Sequence, residues 1–170
     1  MKNLGIKISI YLNYFVFAIL LNSVGIVIEK SIDVYHVSES QASLLEAFKD
    51  LPIAIISFLI ASFLPRFGYK RAMLTALAIV FFGCLQMIFG NSFFYTKILF
   101  LTIGVSFALI KLSLYSLIGI LKSSKKQQAS MMSSIEGFFM VGIALAYFLF
   151  PANYSETNEN AWLDGYYVLC

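Results

Sequence analysis

Residues 98–121 read ILFLTIGVSFALIKLSLYSLIGIL, an apolar run of 24 residues that a single charge, Lys111, interrupts. About 20 mainly apolar residues suffice for an α-helix to cross the hydrocarbon core of a bilayer. Comparable segments occur elsewhere in the chain, at about residues 8–28, 42–64, 72–89 and 131–150. A further segment begins near residue 165. We therefore predict an all-α membrane protein with five complete transmembrane helices and the start of a sixth, in one incomplete bundle over 1–170.

The composition supports the membrane class. Hydrophobic residues make up 60% of the chain and charged residues 12%, with a mean hydropathy of +0.84. Soluble domains contain about 45–50% apolar and about 25% charged residues. These values exclude an ordinary globular enzyme, a disordered chain and a nucleic-acid-binding module. No catalytic constellation, metal cluster or phosphate loop is visible, so we predict no enzyme activity, cofactor or metal, and no nucleic-acid partner.

The basic residues predict the orientation in the membrane. Eight of the 12 Lys and Arg fall in segments that share one side of the bilayer, namely Lys2, Lys7, Arg66, Lys70, Arg71, Lys122, Lys125 and Lys126. Segments on the opposite side hold only Lys30 and Lys97. Because cytoplasmic segments carry an excess of Lys and Arg, we expect a multi-pass protein of the inner or plasma membrane with a cytoplasmic N-terminus.

Five ionisable residues fall within the predicted spans, and a charge at a helix centre costs about 2.5–3.5 kcal/mol. Three of them lie in the second span. Glu46 and Asp50 are four residues apart and share a helix face, with Lys49 beside them. Either Lys49 neutralises Glu46 locally at the outer membrane edge, or the carboxylates belong to the outer part of a transport path or to proton coupling.

Lys111 lies near the predicted bilayer midplane, and Tyr115 follows it one turn later. Glu136, on the next antiparallel span, is its expected partner. The pair could be structural, or it could bind an anionic solute or change protonation during transport. Asn22 in the first span could hydrogen-bond a neighbouring helix or line the same path.

Two pairs of small residues with a spacing of four predict close helix packing. They are Gly104 with Ala108 and Gly142 with Ala146.

The turn between the second and third spans, residues 61–71, reads ASFLPRFGYKR. It resembles the signature loop of the major facilitator superfamily, roughly G-x-x-x-D-R-x-G-R-[RK]-[RK]. The matching positions are Arg66, Gly68, Lys70 and Arg71. Ala61 stands at the first glycine, and Pro65 stands at an aspartate that in the family helps to latch two halves together.

This resemblance implies the N-terminal half of a twelve-helix secondary transporter that works by alternating access. It also implies a small-molecule substrate and, as partner, a missing C-terminal half or another half-transporter. The coupling ion stays open, with the carboxylates inside the predicted spans favouring protons. The charged second and fourth spans are similar to those of sugar–proton symporters of the fucose permease type. Two alternatives stay open: a non-transporting accessory or receptor-like membrane protein, and a truncated transporter fragment without activity of its own.

Overall fold

A computed structural model of the chain describes residues 4–90, 92–122, 124–152 and Tyr166. The described residues are helical and contain no strand. The elements are α1 (Leu4–Asn22), α2 (Val24–Tyr35), α3 (Glu39–Ala61), α4 (Leu64–Phe67), α5 (Tyr69–Gly90), α6 (Phe93–Leu121) and α7 (Lys125–Ala152). The all-α prediction is confirmed. The predicted start of a sixth span near residue 165 lies outside the described residues, apart from Tyr166.

Four helices in the described part of the chain are long and apolar enough to cross a membrane. They are Leu4–Tyr35, which combines α1 and α2, and Tyr69–Met87, Phe93–Leu121 and Lys125–Phe148. Helix α3 has 23 residues and sufficient length, but it carries Glu46, Lys49 and Asp50 in its N-terminal half. The four helices support the membrane class by their length and composition, whereas the fifth span remains a prediction.

The helices extend further into polar sequence than the predicted spans do. The predicted first span ends at residue 28, yet α2 continues to Tyr35, with an ion pair of 3.6 Å between Lys30 Nζ and Asp33 Oδ2 on its surface. His36 ends the helix in the left-handed conformation, with φ 51°. Apolar residues define the part of a helix that crosses lipid, but they do not define where its backbone hydrogen bonding stops.

Helix α7 shows the same effect at its N-terminus. It begins at Lys125 rather than near residue 131, so the basic residues Lys125 and Lys126 belong to the helix. Helix α5 ends at Gly90, next to the predicted end at residue 89, whereas α6 begins at Phe93, five residues before its predicted start. The side chain of Ser92, which precedes α6, accepts a hydrogen bond from Phe94 N.

The turn at residues 61–71 consists of the one-turn helix α4 followed by Gly68. The backbone of Gly68 has φ +93°, and its N–H donates to Leu64 O at 3.0 Å. Only glycine adopts such a conformation readily. Gly68 is therefore the residue that permits the tight reversal, and the neighbouring Arg66, Lys70 and Arg71 are exposed.

Helix α6 lies at the centre of the bundle, with α3 and α5 packed against it and α1 packed mainly against α7. Glycines lie at two of the crossings. A Cβ on Gly104 would clash with the carbonyl oxygen of Lys49 on α3, and a Cβ on Gly142 would lie 2.6 Å from Ala18 Cβ on α1. Ala108 and Ala146 are fully buried. The small residues thus allow close approach of helices, as predicted.

Large apolar side chains cover the outside of the bundle. Phe58 is 84% exposed, Phe89 is 83% exposed and Phe148 is 75% exposed, on three different helices. Soluble monomers seldom expose contiguous apolar surface on this scale. Lipid is the solvent that this surface fits.

The Gly142 crossing generates a test of the packing between α1 and α7. We expect Gly142→Ala to lower the free energy of unfolding by roughly 1–3 kcal/mol, because the added methyl forces two tightly packed helices apart. Unfolding in mixed micelles, followed by circular dichroism, measures this. Gly137→Ala is the matched control, since a Cβ there meets no atom within 4 Å. Equal behaviour of the two variants would contradict the crossing.

Candidate functional site

Three helices meet at one carboxylate inside the bundle. Glu136 Oε1, on α7, accepts a hydrogen bond of 2.9 Å from the hydroxyl of Tyr14 on α1. It also accepts a short hydrogen bond from the hydroxyl of Tyr115 on α6. The two tyrosine oxygens are 3.5 Å apart. We call these three residues, together with Lys111, the tyrosine–carboxylate cluster.

The members of the cluster lie at a similar level in the bundle. At 1.5 Å per residue, Tyr14 lies about 15 Å from the start of α1 and Glu136 about 16 Å from the start of α7. Lys111 lies about 15 Å from the end of α6, the terminus that adjoins the start of α7. In helices of 29 and 28 residues, these are interior positions.

Lys111 does not pair directly with Glu136. Within the described part of the chain, the ion pairs are Lys30–Asp33 and Lys49–Asp50. The Nζ atom of Lys111 lies over two aromatic rings, 5.6 Å from the centroid of Phe107 and 5.8 Å from that of Tyr115. The hydroxyl of Tyr115, one turn further along α6, donates a hydrogen bond to Glu136 Oε1. The predicted ion pair is therefore replaced by an indirect contact. The Lys111 ammonium lies over the ring of Tyr115, whose hydroxyl donates to the Glu136 carboxylate.

Aromatic rings enclose the cluster on one side. Tyr14 stacks on Phe107, with centroids 5.8 Å apart, and packs against Phe139 at 4.9 Å. Phe17 lies 6.1 Å from Phe107. This apolar wall lowers the local dielectric, which strengthens the hydrogen bonds to the carboxylate.

The charged residues of α3 form a separate group. Lys49 was expected to neutralise Glu46, but the structure does not show that pair. Lys49 Nζ instead lies 3.6 Å from Asp50 Oδ1. The Lys49 side chain is 15% exposed and that of Asp50 65% exposed, although Asp50 is the central residue of the 23 in α3. Glu46 is exposed as well. The two carboxylates therefore lie on a face of α3 that the described part of the chain leaves uncovered.

Asn22 serves its own helix. Its Nδ2 donates to Ala18 O at 2.8 Å, near the junction of α1 and α2. The adjacent Ser23 is buried, and its hydroxyl lies 3.0 Å from that of Tyr166. Asn22 is thus not part of the cluster, and neither is the turn that holds Arg66, Gly68, Lys70 and Arg71. Within the described residues, no group of three or more His, Cys, Asp or Glu could hold a metal ion.

Sequence reasoning did not identify Tyr14 and recognised Tyr115 only as a polar neighbour of Lys111. Tyrosine has an intermediate hydropathy, so neither residue stands out in a hydropathy profile. A useful signal is present nevertheless, because a tyrosine inside a membrane span has a hydroxyl that requires a partner. Glu136 is the only acid in its predicted span and is the natural acceptor for such a hydroxyl.

The cluster predicts unequal effects for two tyrosines of α1. Tyr14→Phe removes a donor to a carboxylate, so it should lower the free energy of unfolding by about 1.5–3 kcal/mol. Tyr11→Phe is the matched control, because Tyr11 donates to the neutral Ser134 Oγ, also on α7, at 2.7 Å. Its loss should cost about 0.5–1.5 kcal/mol.

A double-mutant cycle isolates the contact itself. In a Glu136→Leu background, Tyr14→Phe should cost less than about 0.5 kcal/mol, since its acceptor is gone. Unfolding in mixed micelles measures both backgrounds. An undiminished cost in the Glu136→Leu background would show that Tyr14 contributes through its ring alone.

Comparison of the chain with protein-family models, curated proteins and solved structures gives no match in any of the three. The resemblance to the major facilitator superfamily therefore rests on the residues of the 61–71 turn.

Proposed function

We propose that the chain is the N-terminal half of a secondary active transporter, which moves a small solute across a membrane by alternating access with proton coupling. The observation that carries this proposal is the position of Asp50. It lies at the centre of α3, where the charged N-terminal half meets the apolar C-terminal half, and its side chain is 65% exposed. A carboxylate at that depth cannot face lipid cheaply, so it requires water or a second protein body.

The proposal includes α3 as a fifth span. Its 23 residues reach about 34 Å, which exceeds the thickness of the hydrocarbon core, about 30 Å. Helix α3 also packs along α6, which is apolar enough to span the bilayer. The backbone of Lys49 lies against Gly104, so the charged segment of α3 is held at the level of an interior residue of α6.

The resemblance at residues 61–71 supports the same architecture. The turn joins α3 to α5 through Gly68, and its basic residues are exposed. The eight basic residues of the predicted inner segments, three of which lie in this turn, favour a cytoplasmic N-terminus in the inner or plasma membrane. A second bundle, either a C-terminal half or another half-transporter, would cover the exposed face of α3 and rock against this one.

Each charged group then has a role. Lys111, held between two rings, provides a cation for an anionic or hydroxyl-rich solute. Glu136, with two phenol donors, and the α3 carboxylates Glu46 and Asp50 provide sites that can take up and release a proton. Lys49 balances Asp50. Sugars and organic acids both fit such a set of groups, and a fucose permease-like sugar–proton symporter is one form that it would take.

One observation favours the alternative of an accessory or receptor-like protein. The hydrogen bonds from Tyr14 and Tyr115 already satisfy Glu136 within this chain. A cluster of this kind would also hold three helices together in a protein, or in a transporter fragment, that transports nothing. Transport assays separate the two proposals.

The decisive comparison uses two lysines of α6, each over an aromatic ring. Lys111→Met should lower solute-driven proton movement about 30-fold or more, the equivalent of about 2 kcal/mol, because it removes the interior cation. Lys97→Met is the matched control. Lys97 lies near the start of α6, 4.5 Å from the centroid of Phe93, and its loss should change transport less than about twofold.

The measurement uses proteoliposomes that contain the chain with its completing half and enclose a pH-sensitive dye. A panel of sugars, organic acids and amino acids is added with and without a proton gradient. Membrane content of each variant is matched by immunoblot. If no solute drives proton movement in the unmodified protein, or if the two variants transport equally, the assignment of Lys111 is wrong.

A further inference from the structure

A cleft of about 470 Å³ opens at one end of the bundle. Lysines from three elements line it: Lys7 from the first turn of α1, Lys122 from the end of α6, and Lys126 from the first turn of α7. Tyr11 and Met131 add apolar surface. No Asp or Glu is among the residues that line this cleft.

The backbone around the cleft is fixed by hydrogen bonds. Gln128 Nε2 donates to Lys122 O at 2.7 Å and to Gly119 O at 3.3 Å, which ties the first turn of α7 to the last turn of α6. The hydroxyl of Tyr11 donates to Ser134 Oγ at 2.7 Å and ties α1 to α7. The three lysines are therefore presented by elements that are anchored to one another.

The electrostatics of the cleft are unbalanced. Three ammonium groups share one opening, and the ion pairs of the described residues, Lys30–Asp33 and Lys49–Asp50, lie elsewhere. The N-termini of α1 and α7 at the same place add the partial positive charge of two helix dipoles, against the partial negative charge of one C-terminus, that of α6. An anion in the cleft would relieve the mutual repulsion of these charges.

The position of the cleft indicates the source of that anion. All three lysines lie at the ends of helices that are apolar enough to cross the hydrocarbon core, so the cleft opens at the level of lipid headgroups. Basic pockets between transmembrane helices are suited to phosphate headgroups. We propose that the lysine cleft binds the phosphate headgroup of an anionic phospholipid, with Tyr11 and Met131 against its apolar part. The site does not depend on transport.

The test compares two triple variants of the purified chain by native mass spectrometry, with added phosphatidylglycerol or with phosphatidylcholine of the same acyl chains. The cleft variant carries Lys7→Gln, Lys122→Gln and Lys126→Gln. The control variant carries Arg66→Gln, Lys70→Gln and Arg71→Gln, an equal loss of charge at the exposed turn outside the cleft. Circular dichroism verifies that both variants retain their helices.

We expect the unmodified chain to retain phosphatidylglycerol in preference to phosphatidylcholine. Each lysine removed from the cleft should weaken retention about fivefold, whereas the control triple should weaken it less than about fivefold in total. Inorganic phosphate added in excess over lipid should leave the retained lipid in place. Equal losses in the two triple variants, equal retention of the two lipids, or displacement by inorganic phosphate would each overturn the lipid site. The last outcome would assign the cleft to free phosphate. Single substitutions provide the same readout if the cleft triple loses its helices.

Discussion

A polar group in the interior of a membrane has to find its partners within the protein. In the described bundle, Glu136 is the residue at which this requirement brings helices together. Its carboxylate takes one phenol from α1 and one from α6, so three helices converge on a single oxygen. The arrangement requires α1 to approach α7 closely. Gly142 allows that approach next to Ala18, and the bond between Tyr11 and Ser134 extends the contact along the same pair of helices.

The carboxylates of α3 meet the same constraint differently. Glu136 is satisfied within the chain, whereas Asp50 has one lysine and is otherwise exposed at the centre of its helix. A structural role is a sufficient account of the first group. The second group leaves a charged face of α3 that the described part of the chain does not cover. The proposal of a half-transporter depends mainly on that face.

Much of the fold was predictable from hydropathy and turn residues. The end of α6 at Leu121 and the reversal at Gly68 follow from local sequence, because an apolar run and a glycine each have direct backbone consequences. The N-terminus of α7 was not predictable in this way, since a helix continues through polar residues once it leaves lipid. Spacing along a helix set the depth of Lys111 and Glu136 in the bundle. It did not reveal that Tyr115 lies between them, because the rotation of neighbouring helices depends on packing across the whole bundle.

The central claim is that the Asp50 face of α3 lines a water-accessible path rather than facing lipid, and thiol accessibility tests it most directly. Two single-cysteine variants, Asp50→Cys and Phe48→Cys, are made in a background that carries Cys84→Ser and Cys170→Ser. The two positions differ by about 3 Å in depth and by about 200° around the helix. Phe48 lines an apolar cleft between α3 and α6. Thiols react as thiolates, which form in water and not in lipid. In membranes that contain the assembled protein, the account predicts that a water-soluble maleimide labels position 50 and spares position 48. Labelling of position 48 alone, or of neither position, would contradict the water-accessible path.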